Sequence, residues 1–103
     1  MDFQEVMHLK HLSKTIRPKG GKTVKIEAWV SENKLEKVMF SGDFFAYPAE
    51  ALEELEQRLA GSPLNVEEIK SVFKQYKGKV SLVGASLNVL EEELLRLLGL
   101  SAE

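Results

Sequence analysis

Cysteine is absent from the 103 residues, and that gap removes several chemistries at once. No disulfide framework, thiolate nucleophile or cysteine metal site is possible, a composition that suits a reducing cytosol or a hyperthermophilic setting. Long apolar runs are missing too: no stretch approaches the roughly 18 apolar residues that cross a bilayer. The opening Met1-Asp2-Phe3-Gln4-Glu5 lacks the basic start of a signal peptide, so the expectation is a cytoplasmic protein without membrane association. The pI is about 5.8 and the few aromatic residues do not interleave with basic ones, which argues against nucleic acid as a partner.

What is present reads as one globular domain over residues 1–103, with 44% hydrophobic and 29% charged residues. A chain of this size buries only about two-thirds of its unfolded surface, so one core needs most of the apolar residues. The formal net charge of −2 hides a gradient. Residues 1–25 carry Lys10, Lys14, Arg17, Lys19, Lys22 and Lys25 against Asp2 and Glu5, whereas glutamates dominate from residue 48 onward. The front of the domain is an electropositive edge, suited to a phosphate-bearing ligand or an acidic protein surface, or is simply a solvated charged hairpin.

Residues 5–17 are ambiguous between helix and strand, and alternate as a strand from Ser13. Pro18-Lys19-Gly20-Gly21-Lys22 is a turn, because proline presets one dihedral and glycine admits positive φ. Val24, Ile26, Ala28 and Val30 then alternate with Lys25, Glu27 and Trp29. Ser31-Glu32-Asn33-Lys34 is a hairpin loop with Asn33 as its left-handed residue. The return strand, from about Leu35 to Ser41, places Val38 and Phe40 on one face and Met39 on the other. It ends at Gly42-Asp43-Phe44-Phe45, where two adjacent aromatics must face different surroundings.

Helices follow. Pro48 opens one with Leu52, Leu55 and Leu59 in a stripe and Gly61 as its stop. Asn65-Val66-Glu67-Glu68 is a capping box ahead of Ile69, Val72, Phe73 and Tyr76. Residues 79–83 form a connector, and a last helix starting near Ser86 or Asn88 presents Leu90, Leu94, Leu97 and Leu98, with Gly99 as its stop. Strands first and helices after give an α+β fold: a hairpin-centred antiparallel sheet of about three strands with helices on one face. Trp29 and Met39 fall on the uncovered face, to be shielded by the N-terminal segment or by a partner protein.

No catalytic constellation appears. His8 and His11 have one-face helical spacing, but a metal needs further ligands and none cluster nearby, so they read as surface histidines. Glu53-Glu54 and Glu91-Glu92-Glu93 diverge by about 100° per residue on a helix and do not converge on one reacting atom. Ser41, Ser62, Ser81 and Ser86 have no histidine base in a recognisable arrangement. Gly20-Gly21-Lys22 has neither the spacing of a P-loop nor a helix after it. A stand-alone enzyme is therefore the weakest reading, and a dinucleotide or metal cofactor has no support.

Lys19-Gly20-Gly21-Lys22, a β-hairpin, Gly42-Asp43-Phe44-Phe45 and a proline-started helix together resemble the C-terminal accessory domain of lipoate–protein ligases over about residues 15–99. In some archaea that domain is a separate small subunit. Gly42–Phe45 followed by Pro48 is the more specific part; at the turn, Lys19 stands between Pro18 and Gly20 where the family often has Pro-Gly-Gly-Lys. The resemblance implies a fold related to the scaffold and sulfur-acceptor proteins of iron–sulfur assembly. Without cysteine, an iron–sulfur or persulfide role is excluded.

The resemblance also implies a function. Such ligases join lipoate to ATP, giving lipoyl-AMP and pyrophosphate, and then transfer the lipoyl group to a lysine of an acceptor domain. The catalytic lysine and the sites for ATP, Mg and lipoate belong to the large catalytic subunit, the obligate heterodimer partner, and the small subunit is required for adenylation. This chain alone is expected to bind no cofactor and to meet the lipoyl-acceptor protein only through the complex. Lys19, Gly20, Gly21 and Lys22 are expected near the nucleotide. Gly42, Asp43, Phe44, Phe45 and Trp29 are expected at the joint, Asp43 orienting a backbone or basic group and a phenylalanine serving as apolar anchor. The alternative is a protein–protein adaptor that docks the acceptor domain without a role in adenylation.

Overall fold

The structure is a computed structural model that describes residues 9–100; the expectation for His8 lies outside them. Strand β1 (Lys10–Ile16), β2 (Val24–Val30) and β3 (Lys34–Gly42) form an antiparallel meander. A short β4 (Phe45–Tyr47) leads into helix α1 (Ala49–Leu59), followed by β5 (Ser62–Pro63), α2 (Val66–Tyr76), β6 (Ser81–Val83) and α3 (Leu87–Leu97). The main sheet has the order β1-β2-β3-β5, while β4 and β6 pair separately as a two-stranded ribbon.

The α+β class and the helical layer on one face agree with the sequence, whereas the expected three strands become a four-stranded sheet plus a ribbon. Strands and helices also interleave rather than segregate, because β5 and β6 each separate two helices. Those strands have two and three residues, too short for a period-2 pattern to register.

The alternation in β2 is real. Val24, Ile26 and Ala28 are fully buried, and Val38 and Phe40 of β3 join them. Leu55 and Leu59 of α1, Ile69 and Phe73 of α2, and Leu90 and Leu94 of α3 close the core from the helical side. Phe40 and Phe73 meet edge to face, with centroids 6.2 Å apart.

The hairpin after β2 differs from expectation. Trp29 pairs with Lys37 but Val30 with Leu35, so Glu36 is an extra, bulged residue. The bulge reverses parity and buries Leu35 together with Val38, which strict alternation forbids. Asn33 is not left-handed, since positive φ is confined to glycines among the described residues. Instead Ser31 N–H donates to the Lys34 carbonyl at 3.0 Å and the Ser31 hydroxyl to Glu36 at 2.8 Å.

The helix starts are largely as read. Asn65 Oδ1 accepts from Glu68 N–H at 3.0 Å, while Asn65 N–H donates to Pro63 O, so only half of the capping box forms. Ser86 caps α3 through Val89 N–H at 3.1 Å. Pro48 is the N-cap of α1 rather than its first helical residue. From that helix Glu56 reaches back to accept from Phe40 N–H at 2.8 Å, satisfying a donor on the β3 edge that β5 does not cover. Burial pushes the Glu56 carboxyl up, partly offset by that backbone bond.

Candidate functional site

β1 ends, β2 begins and β3 ends at one end of the main sheet: Ile16 pairs with Val24, and Val24 with Gly42. The basic turn therefore hangs beside the end of β3. Gly20, at φ +76°, makes the reversal, Gly21 N–H donates to Pro18 O at 2.9 Å, and Arg17 Nε bonds Thr23 Oγ1 at 3.2 Å. Lys19 and Lys22 stay exposed at its tip and flank.

Gly42 makes the next step possible. Its φ is +141°, and a Cβ there would lie 2.2 Å from the Thr23 carbonyl oxygen, which only glycine escapes. That approach lets Thr23 O accept from Asp43 N–H at 2.9 Å, locking the start of the ribbon to the root of β2. Asp43 thus contributes its amide rather than its carboxylate. The Asp43 residue itself is exposed, and its carboxylate makes no hydrogen bond among the described residues.

A third segment, between β6 and α3, completes the junction. Gly84 O accepts from Lys22 N–H at 3.1 Å. A Cβ on Gly84 would stand 2.9 Å from Lys22 Cγ and 3.4 Å from both Asp43 O and Phe44 Cβ, while one on Gly21 would stand 3.4 Å from Gly84 O. Basic turn, β3 end and post-β6 loop thus meet in close contact, tightest at Gly42.

The ribbon extends from this junction, with Phe45 opposite Val83, Ala46 opposite Leu82 and Tyr47 opposite Ser81. Phe44, Ala46 and Leu82 turn inward and pack against the core. Phe45, Tyr47 and Val83 turn outward and are 66%, 63% and 56% exposed. The sequence expectation that two adjacent phenylalanines part company is met: Phe44 is packed and Phe45 is presented. Beside the ribbon, an open groove of about 440 Å³ runs between β6 and the start of α3, bordered by Lys77, Leu82 and Ser86.

Lys19, Gly20, Gly21, Lys22, Gly42, Asp43, Phe44 and Phe45 are therefore brought together; Trp29 is not. It lies five residues along β2 from the junction, about 16 Å at the usual rise per residue, and on the face away from the helices. There the His11 ring stacks at 4.7 Å and Lys37 Nζ sits 5.0 Å from the indole centroid. β1 does not lie across this face as a cover; it joins the sheet edge and places His11 opposite Trp29. Tyr47, Val83 and Gly84 belong to the site and were missed. Tyr47 had a signal, standing two residues after Phe45 and so on the same side of an extended chain.

Chemically the junction offers cations, backbone and apolar surface. Among the described residues no group of three or more His, Cys, Asp or Glu side chains gathers. No described helix is long and apolar enough to cross a membrane.

Comparison with known proteins matches the family described as bacterial lipoate protein ligase C-terminus to residues 10–98. A solved chain superposes with a TM-score of 0.60 at 21% identity, over 87% of this chain and 93% of that one. It comes from the structural analysis of an archaeal lipoylation system, a bi-partite lipoate protein ligase and its E2 lipoyl domain from Thermoplasma acidophilum. At that identity the likeness speaks for the fold. No curated protein matches the chain.

Proposed function

The chain belongs to the family of the bacterial lipoate protein ligase C-terminus, and from that membership we propose that it is the accessory subunit of a two-part, cytoplasmic lipoate–protein ligase. It docks on a catalytic subunit that holds ATP and lipoate, and it is required there for adenylation. The observation that carries the reading is the family match across residues 10–98, coupled to a junction that gathers the basic turn and Gly42–Phe45 at one end of the sheet. The likeness in fold to a chain from a bi-partite ligase system supports the two-part arrangement.

In adenylation a carboxylate oxygen of lipoate attacks the α-phosphorus of ATP, the bond to pyrophosphate breaks, and lipoyl-AMP remains. The developing charge on the α-phosphate needs cations in a site closed to water. Docking through the junction would carry Lys19 and Lys22 to the rim of that site, with their turn held by the Gly21–Pro18 and Lys22–Gly84 backbone bonds. Rigidity matters here because a cation on a mobile loop stabilises less of the transition state. The chain thus orders and closes a site whose reacting groups lie on the partner.

Incubating the catalytic subunit with ATP and lipoate, with and without this chain, tests the proposal through pyrophosphate release. Release that depends on the chain is expected. Equal release in both arms overturns it, and equal release with faster lipoyl transfer to the acceptor domain would give the adaptor reading instead.

A further inference from the structure

We propose that the outward face of the β4–β6 ribbon is where the catalytic subunit docks, and that it receives an apolar patch bordered by acidic side chains. This inference rests on the reading that a catalytic subunit is the partner, and deepens it by naming the surface and the chemistry it recognises.

The distribution of exposed apolar side chains is the first support. Four large hydrophobic residues are exposed among those described, and three of them, Phe45, Tyr47 and Val83, share this one face. Folding does not require them there. Ala46 and Leu82 already anchor the ribbon to the core from its other side.

If the two rings offer about 200 Å² each in full and the valine somewhat less, the three together present on the order of 350 Å² of exposed surface. That is the size of a functional patch on a monomer, and roughly half of what one partner contributes to a standard interface. The ribbon is the apolar centre, and a polar rim must surround it.

The rim is cationic. Lys22 lies against Gly84 at the Val83 end, with Lys19 beyond it on the same turn. Lys77 and Lys79 lead into β6 at the Ser81 end, Lys77 bridging to Val80 and bordering the adjacent groove. None of these four lysines forms a salt bridge among the described residues, whereas Lys14, Lys70 and Arg96 all pair with α3 glutamates. Within four residues of either ribbon strand the sequence carries two carboxylates, Asp43 and Glu50.

Charge also selects the occupant. A second copy of this chain packed face to face would set one lysine rim against another, and like charges across an interface oppose association. An acidic border around an apolar centre complements the face instead. The site also continues directly into the junction that carries Lys19 and Lys22, so docking here fixes those cations relative to the partner.

Titrating the catalytic subunit with wild-type chain, the Phe45→Ser/Val83→Ser variant, the Lys22→Glu/Lys77→Glu variant and Met39→Ser tests the inference, with circular dichroism confirming that each variant is folded. Met39, exposed on the outer face of the main sheet, serves as the control. The serine pair is expected to weaken binding about thirtyfold, the loss typical of a removed anchor. The glutamate pair should slow association about tenfold at low salt, with the difference shrinking as salt rises. Met39→Ser should bind within about twofold of wild type. A folded serine pair that binds like wild type overturns the inference, as does self-association of the chain that Phe45→Ser/Val83→Ser abolishes. Failure of the wild-type chain to bind at all is a different result, and removes the two-subunit reading itself.

Discussion

The two sheets of this domain treat their apolar side chains in opposite ways. In the main sheet Val24, Ile26, Ala28 and Val38 face the helices and are almost wholly buried, while the outward positions are mostly polar. In the ribbon the inward residues Ala46 and Leu82 are modest, and the larger Phe45 and Tyr47 face out. A sheet that only needed to fold would reverse that choice, because an outward ring gains nothing from the core. The main sheet is built for stability and the ribbon for contact.

Substitutions should therefore separate stability from binding along the same boundary. Leu55→Ala, beneath the main sheet, should cost about 3 kcal/mol through lost burial and a residual cavity, lowering Tm by roughly 15 °C in thermal denaturation. Gly42→Ala should follow at about 2 kcal/mol, because the Cβ must displace the Thr23 carbonyl and the backbone must leave its positive φ. Its amide-exchange signature is specific: Asp43 N–H, bonded to Thr23 O, should lose protection before the core strands do. Phe45→Ser/Val83→Ser should change stability by no more than about 0.5 kcal/mol by denaturant titration, while partner binding collapses.

The smallest effect concerns Glu56, which joins α1 to β3. Burial raises its carboxyl, so the folded chain holds that proton to higher pH than the unfolded chain does. Its contribution to stability is fully present at low pH. That contribution falls as pH rises from the ordinary glutamate range through the raised value, and then levels off. Glu56→Gln keeps an acceptor for Phe40 N–H and removes that slope. The stability gap between variant and wild type should widen in favour of glutamine across this window, by a few tenths of a kcal/mol on the order of a screened surface group. A gap that stays constant with pH would contradict the assignment.

The buried half of the molecule was the legible half. Alternation from Val24 to Val30 and the leucine stripes of α1 and α3 exposed their inward faces because each pattern runs for several turns or pairs. Glu36 broke the rule: one bulged residue moved Leu35 into the core, and no local composition announces such an insertion. The site was read more unevenly. Gly42–Phe45 and the basic turn stood out as motifs, but Gly84 is a plain connector until the fold brings it against Lys22 and Asp43. Trp29 was grouped with the site since an outward strand position looks the same at either end of a sheet. Distance along the strand, and not its face, separates it from the junction.

Lipoate-dependent exchange of pyrophosphate into ATP by the catalytic subunit, titrated with this chain, tests the central claim most directly. The account predicts exchange that rises and saturates with added wild-type chain, and that needs a far higher concentration of Phe45→Ser/Val83→Ser to reach the same level. Exchange at full rate without the chain would contradict it.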